Sequence, residues 1–598
     1  MKVEKRSYGI IDIVRIPLKY APFPAIIEGF LIISSGILPT IQVVVMADFI
    51  DTAISLVRSH ADISLILPSL LAVVALIAYS WISFSFRKFA EVRMELAIRD
   101  KFRMAIVEKR ARLVYKHIEN DKTWDLISRV SGKPEVQIKS AFVDLISMVS
   151  GIIQIAGILF ILITHVWWAA LLICAFSTPL FSLAVKSGRA NYQASREVSK
   201  YKRKYEYLSE VLTGRDAVDE RTLFGFGEMI NERWHEQYET ARKIEFRTEI
   251  KWFIKMKAGG VVTALISILI ALVLLNPVLT NAMTVGMFIS LINAIFGLVQ
   301  FMSWGLTYYV DQLAKYYEYL KDLTDFAALE DDDEAIEIPV FPPPVFESLE
   351  FRNVRFKYPG TDNYILDGVS FRIDAGKHYA FVGINGSGKT TITKLMTGLY
   401  NDFEGEILVN GRNISEYTQS ELKAFFSVVY QDFARYYISI KDNIALGDVN
   451  RIRDEKNSVR IWDTIMKTNL EETAAKLPKG LDTPLGKIKE GGLDVSGGEW
   501  QKIAMARAVM NQAPVRILDE PTASLDPVSE SRTYEEFEKI SRDKTTIFIS
   551  HRLGSTKLAH EIFVLNDGRI IEKGDHRQLM ELGGFYAQMY ESQRSWYE

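Results

Sequence analysis

Up to about residue 310, long uncharged runs alternate with charge-dense stretches; beyond it, short apolar runs end in glycine, aspartate or histidine. Apolar runs near the ~20 residues needed to cross a bilayer fall at roughly 22–47, 63–85, 142–164, 166–185, 258–279 and 282–306. Glu28 interrupts the first, and Asp144 opens the third. Runs three and four are joined only by the His165 region, and runs five and six only by Asn276–Asn281, which predicts two tight hairpins. Lys and Arg gather in 1–20, 87–139, 186–257 and after Lys315. The positive-inside rule therefore puts both termini in the cytosol, with the spans in contact with lipid of the cytoplasmic (inner) membrane.

Residues 87–132 and 188–257 contain no proline and are rich in good helix formers. Each predicts a helix out, a turn and a helix back. About 25 residues at 1.5 Å each reach roughly 40 Å beyond the bilayer. Turns are expected at Asn120–Lys122 and Gly214–Arg215, each followed by a short apolar tip holding Trp124 or Phe224. Solvated charged helices fit the same composition, but apolar tips left in water favour contact with another domain and a coupling role.

Charge is balanced, 71 basic against 74 acidic side chains, and gives no reason to propose a nucleic acid partner. The single cysteine, Cys174, excludes an intrachain disulfide and a cysteine metal cluster, and inside an apolar run it reads as a small hydrophobe. About twenty residues precede the first span and show neither a signal peptide nor a peptidase. An acidic and proline-rich segment, Glu330–Glu334 and Pro339–Pro344, marks a linker at 328–348 between domains at 1–327 and 349–598.

The second domain carries phosphate chemistry. Predicted strand His378–Val382 enters the loop Gly383-Ile-Asn385-Gly386-Ser387-Gly388-Lys389-Thr390, with Thr391 next. Backbone N–H groups of such a loop cradle phosphates, Lys389 neutralises β- and γ-oxygens, and Thr390 can ligate Mg²⁺. Many unrelated nucleotide enzymes share this pattern. Val495-Ser496-Gly497-Gly498-Glu499 is more informative, because it opens a predicted helix from Glu499 to Met510 and so forms a second anion site. Asp519 and Glu520 end predicted strand Val515–Leu518, and adjacent carboxylates suit a division into metal ligand and base.

In this order the motifs resemble the ATP-binding cassette family, in which the Ser-Gly-Gly segment of one subunit closes on ATP held by the other. The resemblance implies that Tyr358 stacks on adenine and that Gln431 touches the metal near an arm tip. It places Asp519 in the Mg²⁺ shell and Glu520 beside the attacking water. Asp526 would reach the opposite site and His551 would read the γ-phosphate. Lys389, Gln431, Glu520 and His551 form the implied catalytic set, with ATP and Mg²⁺ as cofactors. Six spans with two arms fused to this domain resemble the exporter branch. The chain departs from the usual signature at Val495 and Glu499, with Trp500 following. Gly486–Gly492 is more like the corresponding loop of bacterial peptide and bacteriocin exporters, and Arg516 interrupts a strand.

The expected fold is a multidomain membrane protein, with an all-α six-helix transmembrane domain and cytosolic arms followed by an α/β P-loop domain. The expected function is ATP-driven export of an amphipathic peptide, lipid or drug-like molecule. An ATP-gated channel or regulator is the alternative. Complete motifs favour a homodimer, while a heterodimer with a degenerate partner stays open. Ser290, Asn293, Gly297, Gln300 and Trp304 recur at spacings of three and four, hence on one helical face. That face lines either a cargo route or a packed seam. Glu28 is a companion candidate.

Overall fold

The computed structural model describes residues 2–59, 62–214, 217–486, 492–519, 540–550 and 553–594; for scattered residues, Cys174 and Trp304 among them, it describes the backbone only. It divides into two compact units, Met1–Arg110 with Asp125–Leu329, and Ala111–Trp124 with Glu330–Glu598.

The first unit is helical. Its long helices are Pro22–Ser59, Leu67–Ile98, Pro134–Thr213, Gly227–Leu279, Val285–Gln300 and Leu306–Ala328. Among the described residues, three stretches are long and apolar enough to cross a membrane: Pro22–Arg58, Ile63–Arg112 and Pro134–Trp168. This corrects the expected six. Ser267–Leu279 and Val285–Gln300 are apolar but shorter. The regular helix of the sixth run gives way to a π-helical turn at Phe301–Gly305. The helix from Pro134 leaves helical geometry at Val166, with φ −146° and ψ 80°, where the hairpin at His165 was expected. Asn281, with φ 57°, reverses the chain after Leu279.

Helices approach closely where side chains are smallest. A Cβ on Gly36 would lie 2.4 Å from the Ser150 carbonyl oxygen, and one on Gly286 would lie 2.2 Å from that of Ala47. The Gly286 N–H also donates to Asp51 at 2.7 Å, tying the start of one apolar helix to its neighbour. Val43, Ile158, Leu162, Ile270, Leu291 and Leu298 fill the core between these helices.

In the first arm the chain breaks at Asn120, between short helices Tyr115–Glu119 and Asp121–Ser131. Asn120 Oδ1 accepts the Lys122 N–H at 3.0 Å, an Asx turn. In the second arm the helix ends at Thr213, and Val218–Phe224 follows, closed by Gly225 at φ 62°.

The second unit is α/β. Its strands are β1 (Ser348–Phe356), β2 (Leu366–Asp374), β3 (His378–Gly383), β4 (Glu404–Val409), β5 (Arg412–Asn413), β6 (Phe426–Val429), β7 (Val515–Asp519), β8 (Thr545–Ile549), β9 (Glu561–Asn566) and β10 (Arg569–Gly574). One sheet, antiparallel, has the order β2-β1-β4-β5; the other has the order β10-β9-β3-β8-β7-β6 and is parallel from β9 to β6. β3, β7 and β8 are buried along their length, as parallel strands covered on both faces must be. Phe371 joins the sheets, stacking on Phe351 at 4.4 Å and meeting Phe381 at 5.0 Å.

The expected linker lies on this unit. Lys423 Nζ donates to the carbonyls of Ala335 at 2.6 Å and Glu337 at 2.9 Å, and the Val340 N–H donates to that of Ser420 at 3.1 Å. Residues 111–124 join the same surface, with the Val114 N–H on the Glu330 carbonyl at 3.2 Å and the Asp332 N–H on that of Arg112 at 2.8 Å.

Gly405 sits at φ 92°, and a Cβ there would lie 2.5 Å from the Asn353 carbonyl oxygen of β1. Gly405→Ala is expected to lose about 1–3 kcal/mol from backbone strain, more with the clash, whereas Gly411→Ala, whose Cβ meets open space, should lose less. Calorimetry of the two variants checks this; equal unfolding temperatures would refute it.

Candidate functional site

β3 ends at Gly383 and delivers the chain into the glycine loop. Gly383, Gly386 and Gly388 have φ of 155°, 82° and 100°. A Cβ on Gly383 would lie 2.2 Å from the Leu565 carbonyl oxygen, and one on Gly388 would lie 2.6 Å from Leu366, so the loop closes only around glycine. Asn385 and Gly386 are exposed at its crest, whereas Ser387 is buried with its Oγ lacking a hydrogen-bond partner. Lys389 starts the next helix, is 6% exposed, and donates from Nζ to the Gly383 and Ile384 carbonyls at 3.0 and 3.1 Å. Thr390 Oγ1 donates to Asp519 Oδ1 at 3.4 Å, bringing an oxygen from the loop to one from the end of β7. Two such hard oxygen donors suit Mg²⁺, and the glycine cradle suits phosphate.

Tyr358 lies just beyond β1, half-buried, with its hydroxyl 3.1 Å from Thr391 Oγ1. Its ring meets Phe356 edge-on at 5.1 Å, and Lys394 Nζ sits 5.2 Å from its centre. Lys394 also donates to Glu119 Oε1 at 2.6 Å, as does the Tyr400 hydroxyl to Oε2. Tyr115 packs edge-on against Tyr400 at 5.5 Å. Burial pulls Lys394 down, but Glu119 outweighs it and leaves the ammonium raised above its ordinary value. The first arm's Tyr115 and Glu119 thus reach the lysine that packs on Tyr358. Sequence reading chose Trp124 in this arm and missed Tyr115, Glu119, Lys394 and Tyr400. The available signal was the spacing of four between Tyr115 and Glu119, which places them on one helical face.

The signature helix runs Gly497–Met510. Ser496 caps it: Oγ accepts the Glu499 N–H at 3.3 Å, while the Ser496 N–H donates to Glu499 Oε2 at 2.8 Å. Thr473 Oγ1 donates to the other carboxylate oxygen at 3.1 Å. Glu in place of the usual Gln is therefore a capping residue, a role both side chains fill. The Gly497 and Gly498 N–H groups, in the first turn, have no intrahelical partner and are positioned for an anion. Burial pushes the Glu499 carboxyl up, but hydrogen bonds from Ser496 and Thr473 outweigh it and hold the group below its ordinary range.

Trp500 is fully buried; its Nε1 donates to Asp494 at 3.1 Å, and Tyr437 meets it edge-on at 6.2 Å. Arg507, further along, donates to the Ala434 carbonyl at 2.7 Å and covers the Tyr436 ring at 4.9 Å. Gln431 is exposed just past β6, so the segment that follows it is tied to the signature helix. Arg516 is buried, with Nη1 on Ser541 Oγ at 2.8 Å and on the Ile540 carbonyl at 3.1 Å; burial pushes it down to about 10. It clamps Ile540 and Ser541 to β7.

Glu520, Asp526 and His551 lie outside the described residues, as does most of Gly486–Gly492. β7 stops at Asp519 and β8 at Ile549. Phe224 is exposed in the second arm, and Trp124 is part-exposed with its N–H on the Asn120 carbonyl at 2.9 Å. In the first unit, Ser290, Asn293 and Gly297 line a cavity of about 440 Å³ with Gln42 and Gln154. Gln300 is exposed and stands apart from that lining, and the Trp304 side chain is not described. Glu28 is 1% exposed and paired with Arg87 at 3.5 Å, also apart from the cavity.

Glu499→Ala should lose about 1 kcal/mol by uncapping the signature helix, while Glu499→Gln keeps most of it. Because the folded carboxyl is lowered, its contribution is present above the ordinary carboxylate value and is lost as pH falls through the folded value. The gap between wild type and Glu499→Ala should therefore narrow as pH falls from the ordinary carboxylate range through the lowered folded value. Thermal unfolding against pH checks both; a gap that widens in acid would refute the cap.

Residues 25–300 match the family described as ABC transporter transmembrane region, and residues 366–523 the family described as ABC transporter. The chain is 28% identical over 571 residues to the subtilin transport ATP-binding protein SpaT of Bacillus subtilis, covering 94% of this chain and 90% of that one. It is 29% identical over 486 residues to the ATP-dependent lipid A-core flippase of Escherichia coli (strain K12), covering 79% and 80%. Over 252 residues it is 39% identical to the flippase of Haemophilus influenzae (strain 86-028NP), 42% of each chain. A solved bacterial Atm1-family ABC exporter with ATP bound shares the fold, with a TM-score of 0.71 at 22% identity over 95% of this chain and 98% of that one. With one match across the helical unit and another from β2 through the phosphate loop and signature helix, the chain is an ABC half-transporter, a membrane domain fused to an ATP-hydrolysing nucleotide-binding domain.

Proposed function

We propose that two copies of this chain form an ATP-driven exporter in the cytoplasmic membrane, with both termini in the cytosol. The observation that carries this reading is one domain holding both a glycine-closed phosphate loop and a self-capped signature helix. Each copy then supplies one half of each of two sites, which favours a homodimer. The relatives' names point to different cargos, subtilin in one and lipid A-core in others, so the cargo is left at the level of an amphipathic molecule.

In this scheme the loop N–H groups and Lys389 hold the phosphates, and Tyr358 stacks on the base. Thr390, Asp519 and Gln431 would hold Mg²⁺, which would supply neutralising charge to the phosphate oxygens. Glu520 takes a proton from the attacking water and His551 orients the γ-phosphate. Ser496, Gly497 and Gly498 read the partner copy's nucleotide, and Asp526 reaches across to the opposite site. Closure around ATP passes to the membrane domain through Tyr115 and Glu119 in one arm and the Phe224 tip in the other, with Trp124 bracing the first turn.

Glu520→Gln should bind ATP yet hydrolyse it about 10²–10⁴-fold more slowly. It should also hold the dimer closed, measurable by trapped nucleotide. Near-normal turnover would sink the base assignment. Uptake of cargo against a gradient in inside-out vesicles tests export itself; stimulated hydrolysis with only downhill flux would favour the gated channel. Tyr115→Ala with Glu119→Ala, and Phe224→Ala, should each lower transport several-fold more than hydrolysis. Parallel losses of both activities would mean that the arms do not couple.

A further inference from the structure

The cavity in the membrane domain has a chemistry that narrows the cargo. Helices Pro22–Ser59, Leu67–Ile98, Pro134–Thr213 and Val285–Gln300 line it, and the cavity is open on one side, with Gln42, Asn293 and Gly297 exposed. The first three contribute from within stretches apolar enough to span a membrane, so the space lies at hydrocarbon depth. Its polar lining is Gln42, Gln154, Asn293 and Ser290, set against aliphatic residues such as Val73 and Ile77. None of the described lining residues is charged. Each carboxamide offers two donors and an acceptor, and Ser290 adds a buried Oγ with no hydrogen-bond partner. Amides at this depth need partners that hydrocarbon cannot supply.

Helix packing does not account for the space. Gly36 and Gly286 sit at seams, where an added Cβ would come within 2.4 Å and 2.2 Å of a neighbouring backbone oxygen. A Cβ on Gly297 would meet nothing within 4 Å. Gly297 therefore faces open volume. The cavity, about 440 Å³, falls within the range of roughly 300–1,000 Å³ typical of small-molecule sites.

We propose that each protomer binds in this cavity an uncharged apolar segment bearing amide groups. This rests on the exporter reading and names its cargo chemistry. The amide lining pairs with the ligand's N–H and C=O groups, and the aliphatic wall covers its hydrocarbon. A charged group finds no counter-charge on the lining, so charged analogues are rejected.

The test uses the full-length protein in phosphatidylcholine vesicles and four diazirine probes: an N-octyl amide, the equivalent carboxylate, the equivalent trimethylammonium, and a capped apolar tripeptide amide. Crosslinked residues are located by mass spectrometry, and ATP-dependent uptake of each probe is measured in parallel. The neutral amides should label the cavity about a hundredfold more than the charged probes. The stronger of the two neutral probes tells whether the cargo is lipid-like or peptide-like. Gly297→Leu, which fills the space, should lower labelling by about tenfold or more, whereas Gly297→Ala should largely retain it. Asn293→Leu should weaken labelling and Asn293→Gln should restore part of it. Unfolding temperatures of all variants show whether the fold is intact. Equal labelling by charged and neutral probes, labels confined elsewhere, or labelling unaffected by Gly297→Leu in a folded protein would overturn the site. Uptake that survives in those cases leaves the exporter reading standing. Cavity labelling without uptake overturns the exporter reading and leaves the site.

Discussion

The helix Gly497–Met510 is the member on which the nucleotide domain's geometry depends. Its N-terminus is closed by its own Ser496 and Glu499, so the N–H groups of its first turn are fixed in direction. Its flank is anchored by Trp500, and its later turns hold Ala434 and Tyr436 through Arg507. Ser427 Oγ of β6 donates to the Ala508 carbonyl at 3.0 Å, seating the helix on the parallel sheet. A displacement of this helix would therefore pull on the segment after Gln431 through bonded contacts rather than through loose packing. The unusual Trp500 and Glu499 are parts of that anchoring.

In the membrane domain the governing constraint is solvation. Backbone groups in hydrocarbon must be bonded within the helix, so the chain there is helical, and its breaks fall at Val166 and around Asn281. Side-chain amides are under the same pressure, which is why their gathering on one cavity is informative. A carboxamide at this depth is favourable only when something bonds it.

Much of this was legible from residue order. The phosphate loop, the signature helix and the strand ending at Asp519 stand where glycine spacing and apolar runs put them. Expected hairpins at His165 and Asn276–Asn281 coincide with Val166 and Asn281. What sequence could not reach was contact between distant residues. Tyr115 and Glu119 meet Lys394 and Tyr400 across about 280 positions, and no local pattern encodes such a pairing. Glu28 shows the same limit, since an acid in an apolar run reads as a cargo contact until Arg87 is seen beside it. The face from Ser290 to Trp304 was found by period. Which part of it opens onto space depended on neighbouring helices, and Gly297 separated from Gln300 only in three dimensions.

Residues 111–124 belong to the nucleotide-binding unit although they lie within the membrane half of the chain. The polypeptide therefore changes unit at 110/111, 124/125 and 329/330, and the boundary cannot be cut at a single peptide bond. A fragment beginning at Glu330 would lack the carboxylate that holds Lys394 and the ring that covers Tyr400, exposing aromatic surface beside Tyr358. Swapping the C-terminal domain between relatives would transplant one face of this contact without the other. Chimeras should carry the first arm's tip along with the domain, since the functional module is discontinuous in sequence.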